Sequence, residues 1–421
     1  MRTPVILPLL VSLLPGVLHG QDFTPSMKFL GDLRVRGEVD SRDFNLSTPP
    51  NSYTLLRTRF GLEARPSEKV RVFIMARDSR VFGSETDAAG TFNTISDSKN
   101  LDLHQGYVEI GKFLSDEITF RVGRQELGYA GERMVGPVGW NNVGRVFDGG
   151  LLNFASGDVT VDLFGMKTAG VHTYAPVATP AATAAAVDNG QNFFGLYTQW
   201  KTSGGHREDV YLFFQGNRTQ TSAGGFQDFR RITAGGYAKG PMGEFLYEAE
   251  CAYQGGDRGT SDIAAYMITG LVGYSPPGST LSQVAAGYEF LSGTAPGETD
   301  YRSFEPLYAT GHKFHGFMDY FINIPAQTGN LGLRDILGKV MLNFSDRAGA
   351  SIWYHRFNLA EKGGGGDDLG HEIDITGTFR YSPAVSFEAG FCAFLPGEVM
   401  RARFAGSDAG LWGYLATAVT F

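Results

Sequence analysis

Apolar and polar positions alternate from Leu33 onward. In Leu33–Asp40, Leu33, Val35 and Val39 fall on one side, and Arg34, Arg36, Glu38 and Asp40 on the other. Period two with charge on one face marks a strand with one apolar and one wet surface. Leu56, Phe60, Leu62 and Ala64 then oppose Arg57, Arg59, Glu63 and Arg65. Val70, Val72, Ile74 and Ala76 oppose Arg71, Phe73, Met75 and Arg77. Further strand cores are predicted near 101–111, 117–125, 145–154, 158–167, 192–202, 208–218, 229–239 and 244–254, then near 263–273, 281–292, 334–344, 348–358, 371–381, 385–395 and 411–421, which makes 18.

The connections alternate in length. Arg65–Lys69, Lys112–Asp116, Ser203–Arg207 and Gly240–Gly243 are short, whereas Val81–Asn100, Glu126–Gly144, Thr168–Gln191 and Thr294–Leu333 are long. Strands of about ten residues with short turns at one end and long loops at the other predict an all-β, transmembrane antiparallel barrel. The short turns would be periplasmic and the long loops extracellular. The eleventh strand would turn Phe245, Tyr247, Ala249, Cys251 and Tyr253 to lipid and Glu248, Glu250 and Gln254 to the lumen. The sixteenth would turn Ile373, Ile375 and Phe379 out and Glu372, Asp374 and Arg380 in.

Composition agrees with one large β-architecture over residues 21–421. There are 57 glycines, 13% aromatic and 19% charged residues, with no shift that marks a linker. Arg2, the apolar run Val5–Leu18 and the small Gly20 read as a secretory signal over residues 1–20. The net charge of -8 argues against nucleic-acid partners. Cys251 and Cys392 would face opposite sides of the wall, which disfavours a disulfide.

Charge is segregated along the chain. Residues 27–150 hold 13 arginines and 4 lysines against 17 acids, while residues 151–421 hold 18 basic against 26 acidic residues. The early strands therefore form a relatively cationic wall, with Arg34, Arg36, Arg57, Arg59, Arg71, Arg77, Arg121 and Arg145 expected to point inward. Arginine rings favour anions, and guanidinium binds carboxylate in bidentate fashion. The alternative is that these arginines pair with acids such as Glu38, Glu63 and Asp78 and only fill the lumen. Catalytic motifs are weak. No G-x-S-x-G elbow occurs, His371-Glu372 lacks a second histidine, and His355 falls on a lumen face. His312 with His315, and Asp257 with Asp262, are sparse for a metal site. Neither an enzyme nor a cofactor is expected.

The stretch Phe120–Asp148 carries the densest pattern. Within it, Gly123-Arg124-Gln125-Glu126-Leu127, Glu132-Arg133-Met134-Val135-Gly136-Pro137 and Trp140-Asn141-Asn142-Val143-Gly144-Arg145 resemble the alginate export family of outer-membrane porins, as do Phe304-Glu305-Pro306-Leu307-Tyr308 and Gly370-His371-Glu372-Ile373-Asp374. The resemblance implies a monomeric barrel with an electropositive constriction. There lumen arginines and inserted loops would guide a polyuronate outward, and Arg124, Arg133, Arg145 and Asp148 would belong to the site. Strict alternation instead puts Arg124 with Val122, toward lipid, unless Gly123 marks a bulge or Arg124 lies above the membrane. The final strand, with Leu415, Thr417, Val419 and Phe421 on one face, resembles the signal read by barrel-insertion machinery. Expected partners are outer-membrane lipid, an anionic polysaccharide or sugar solute, and periplasmic export proteins. Acidic later strands (Glu248, Glu250, Glu289, Glu388) keep open a general porin for small anionic or sugar solutes. The long Thr294–Leu333 loop keeps open a plugged barrel that serves as a binding or adhesion platform.

Overall fold

The computed structural model describes residues 23–82, 99–168, 192–220 and 226–421. The signal expected over 1–20 and much of two long loops lie outside these residues. The described residues form eighteen strands. The first nine are β1 (Ser26–Ser41), β2 (Asn51–Ser67), β3 (Val70–Val81), β4 (Lys99–Ile110), β5 (Ile118–Gln125), β6 (Phe147–Ser156), β7 (Val159–Lys167), β8 (Asn192–Lys201) and β9 (Arg207–Gln220). The others are β10 (Phe226–Met242), β11 (Phe245–Arg258), β12 (Ser261–Tyr274), β13 (Leu281–Leu291), β14 (Leu333–Ser345), β15 (Ala348–Gly363), β16 (Gly366–Arg380), β17 (Val385–Pro396) and β18 (Gly410–Thr420). Each strand pairs antiparallel with its neighbours in sequence, and β1 pairs with β18 from Asp32↔Thr420 to Ser41↔Leu411. Closure leaves no edge strand, so every wall strand has its backbone groups paired on both sides, as a bilayer interior requires.

The seam has one close fit. Gly31 and Phe421 exchange two backbone hydrogen bonds of 2.8 and 3.0 Å. The Phe421 ring lies over Gly31 so closely that a Cβ there would sit 2.1 Å from it.

The wall faces follow the sequence pattern. Phe60, Ile74, Leu163, Leu196, Ile268, Ile336, Ile373 and Leu415 are exposed on the outside. Glu250 and Gln254 on β11, and Glu372 and Asp374 on β16, are buried inside. Cys251 is exposed, Cys392 is buried, and both are free thiols.

Two long connections fold into the barrel interior. One joins β5 to β6 (126–146) and the other joins β13 to β14 (292–332); the second carries a 3-10 turn at Gly311–Lys313 and a single-turn helix α1 (Ile324–Gln327). Against them the inner face of β6–β9 is aromatic. Phe147, Phe164, Met166, Phe193, Tyr197, Tyr211 and Phe213 pack with Tyr129, Met134 and Val135 of the first segment. That apolar interior departs from a uniformly polar lumen, because these side chains face inserted protein instead of water. Near the long-loop end, Phe44 packs against Tyr320 and Phe394, and against Phe404 of helix α2 (Glu398–Phe404).

Candidate functional site

The site is built from the two inserted segments and the walls that hold them. The tip of the first segment, Gly139–Val143, lies against β1–β3. Arg34 donates to the Gly139 carbonyl at 3.3 Å, Arg36 to the Trp140 carbonyl at 2.9 Å, and Arg57 to the Gly139 and Asn141 carbonyls at 2.8 and 3.3 Å. Arg77 donates to the Val143 carbonyl, and Ser79 Oγ to the Asn142 carbonyl at 2.8 Å. Asn142 Nδ2 donates to the Leu56 carbonyl at 2.9 Å. A buried backbone carbonyl without a donor is costly, and charged donors bind it more strongly than neutral ones. The arginine wall thus solves the problem of putting irregular backbone at membrane depth.

Acids neutralise part of this wall. Arg36 pairs with Glu38 at 2.6 Å, Arg57 with Asp32 at 2.9 Å and Arg77 with Asp102 at 3.1 Å. Arg59 lies 3.7 Å from Glu126, and a Cβ at Gly144 would sit 3.0 Å from its Nη2. Nearer the short turns, Arg65, Glu63, Arg71, Glu109 and Arg121 form a continuous ladder, with Arg121–Glu109 at 2.5 Å. Glu38 and Glu63 therefore do accept inward arginines, whereas Asp78 pairs with Arg80 on the outer face at 2.7 Å.

The two segments join side by side. Val135 and Tyr308 form a parallel bridge, with Gly136 donating to Tyr308 and Tyr308 to Met134, both at 2.9 Å. Arg145 lies in the segment, two residues before β6, not in a strand as expected. Its guanidinium donates to the Tyr308 carbonyl, to the Ala309 carbonyl at 3.0 Å and to the Gly136 carbonyl at 3.3 Å. Burial lowers its pKa to about 10, so it stays charged at neutral pH. Arg133 pairs with buried Glu289 of β13, which also accepts from His315 at 2.8 Å.

The acidic wall receives the second segment by its donors. The Met318 N–H donates to Glu372 at 2.8 Å and the Phe317 N–H to Asp374 at 3.4 Å. Gln254 clasps Glu305 through both backbone groups, at 2.7 and 3.0 Å. Burial pushes the Glu305 carboxyl up, against the pull of Arg231 and Arg258. His312 and His315 serve different partners, Asp319 and Glu289, and are not brought together.

Below the joined segments, toward the short-turn end, lies a cavity of about 720 Å³. A row of ring faces crosses it. Tyr414 meets Trp140 at 4.9 Å, Trp140 stacks on His312 at 4.4 Å and 7°, His312 on Phe317 at 5.2 Å, and Phe317 meets Trp353 at 5.9 Å. Arg133, Lys313 and Lys339 line it with Glu132, Glu248, Glu250 and Glu388. Arg133 lies 4.0 Å over Phe314, and Lys339 lies 4.2 Å over Trp353.

A sequence profile described as alginate export matches residues 26–410. The chain belongs to the alginate export family. Comparison with curated protein sequences returns no match. Among solved structures, the barrel is similar to three Pseudomonas aeruginosa proteins. OccK3 (OpdO) has a TM-score of 0.60 at 13% identity, covering 93% of this chain and 95% of that one. OpdK, solved with vanillate, has a TM-score of 0.60 at 10% identity, covering 93% and 98%. OccK8 (OprE) has a TM-score of 0.60 at 11% identity, covering 94% and 98%. At such identities the likeness is one of fold. The family and the porin-like barrel together make this an outer-membrane channel, and they point to transport, not catalysis.

Within this alginate export barrel the ten residues singled out by sequence divide into three groups. Arg34, Arg36, Arg57, Arg59 and Arg77 converge on the first inserted segment, where Arg133 and Arg145 tie that segment to its surroundings. Arg121 stands apart, in the ladder near the short turns. Arg124 and Asp148 are cross-strand partners on the outer face, with a bidentate pair at 2.7 and 2.8 Å. Register runs unbroken through Gly123, so no bulge turns Arg124 inward. Gly123 itself sits at φ +131°, where a Cβ would meet the Gly106 carbonyl at 2.3 Å. Lys339 and Trp353 escaped the sequence reading. The available signal was a lone inward lysine on a strand whose neighbours carry acids.

Proposed function

We propose that this channel passes anionic saccharides, as oligosaccharides or as one strand of an acidic polysaccharide. One observation carries the proposal: the row of packed aromatic rings that lines the open cavity, flanked by Lys313 and Lys339. Flat aromatic faces suit the C–H faces of pyranose rings, and ammonium groups suit their carboxylates. Four carboxylates in the same lining can accept sugar hydroxyls. Arg34, Arg36, Arg57, Arg59 and Arg77 act one step removed, by holding the first inserted segment in place, while Arg133 borders the path. The family's description and the binding of vanillate, a carboxylate on a ring, by one fold neighbour lean the same way.

Purified protein in a planar bilayer tests this. Polyuronate should block the ionic current at concentrations where a neutral glucan of equal length does not. Equal block by both would sink the anionic specificity.

A second reading has its own observation. The two segments are bridged to each other and tied to both walls, which suits a plugged barrel that binds ligand without passing it. Absence of ionic conductance together with retained polyuronate binding would favour that reading.

A further inference from the structure

The cavity belongs to one side of the molecule. Its lower lining comes from strand positions next to the short turns: Leu246 is the second residue of β11, Gln283 the third of β13 and Glu388 the fourth of β17. In an outer-membrane barrel this is the periplasmic mouth. The inserted segments border the cavity's opposite side through Trp140, Thr310, His312 and Phe317.

Lys339 and Trp353 are direct cross-strand partners on β14 and β15. The indole is fixed in place. Its Nε1 donates to Ser351 Oγ at 3.2 Å, and Ser351 bonds Thr376 at 2.7 Å. Phe317 of the second segment flanks the ring. The Lys339 ammonium rests on the indole face, and among the described residues no carboxylate lies within 4.0 Å of it. Glu248 attracts it from beyond that distance, whereas Arg133 and Lys313 have a carboxylate in contact, Glu289 and Glu132. A cation held on a π-face with no carboxylate in contact is poised to accept one. Glu248 and Glu388 line the same cavity and would repel a second carboxylate.

We infer that Lys339 and Trp353 form a binding site for a single carboxylate-bearing ring, entered from the periplasmic mouth. The carboxylate draws the ammonium off the indole, and the ring's apolar face takes its place there. This inference rests on the anionic-saccharide reading and adds a residue pair and a side to it.

The test is current block by a tri-uronate added to one chamber at a time, on oriented channels whose folded state is confirmed by heat-modifiable migration. Wild-type channels should block from the periplasmic side at several-fold lower concentration than from the extracellular side. Lys339→Gln should raise the periplasmic blocking concentration roughly tenfold, the loss expected of one charge-assisted contact. Lys339→Arg, which keeps the charge, should stay within about threefold of wild type on the same scale. Trp353→Leu should weaken block by tri-uronate and by neutral maltotriose alike. Equal block from both sides, or a Lys339→Gln channel that blocks like wild type, overturns the site while leaving the channel reading intact. Wild-type channels that tri-uronate fails to block from either side overturn both.

Discussion

Arg145 shows what the inward arginines do. It donates to three backbone carbonyls on two chain segments, and carbonyls elsewhere on the first segment are met by Arg34, Arg36, Arg57 and Arg77. Arg145→Ala leaves the Gly136 and Ala309 carbonyls without a donor, at about 1–3 kcal/mol each, while the Tyr308 carbonyl keeps the Gly136 N–H. The segments should then loosen, and liposome-swelling assays should admit larger neutral sugars than wild type. All three bonds come from one nitrogen, Nη1, so Arg145→Lys, whose ammonium carries three donors, should restore the wild-type limit in part. An unchanged size limit for Arg145→Ala would refute the tie. The arginine positions were legible from charge on alternate residues, but their targets were not. Carbonyl acceptors belong to every residue and leave no mark in a sequence. Arg124 was legible in the opposite sense, since strict alternation placed it outside and the unbroken register keeps it there.

At the scale of elements, two irregular segments replace what periodicity describes. Strand existence and order could be read because one face of each strand meets lipid, a constraint repeated eighteen times. The inserted segments have no such repeat. The aromatic inner face of β6–β9 was also hidden: Phe193 and Phe213 look like lipid-facing residues until Tyr129 and Tyr308 are seen packed against them. The acidic wall is the second anchor. Glu289 holds Arg133 of one segment and His315 of the other. Removing one partner of a buried pair costs about 3–5 kcal/mol. Glu289→Gln should therefore lower the temperature of the heat-modifiable gel shift, and an unshifted transition would show that Glu289 does not anchor the segments.

For the whole molecule, closure sets the exposed ring of Phe421 over Gly31 at the seam. The ring of Phe421 occupies the space a side chain at position 31 would need. Gly31→Val has to displace that ring and should lower the fraction of chain that reaches the heat-modifiable state below that of Gly377→Val, on the outer face of β16 where a Cβ meets nothing within 4 Å. Equal yields for the two would remove the seam from the account. Barrel size and strand count were accessible from sequence because they sum many weak, consistent signals. The position of the open cavity was not, since it is the volume that two loops fail to fill.

The way β1–β3 grip the first segment has a practical side. Gly139, Asn141 and Val143 are held by their carbonyls, not by their side chains. Almost any residue offers the same carbonyl, and a Cβ at Gly139, which lines the cavity, would meet nothing within 4 Å, so position 139 can carry a side chain while the tip stays moored. Such a tip is a ready chassis for retuning: new side chains could be presented to the passage without redesigning the wall that supports them.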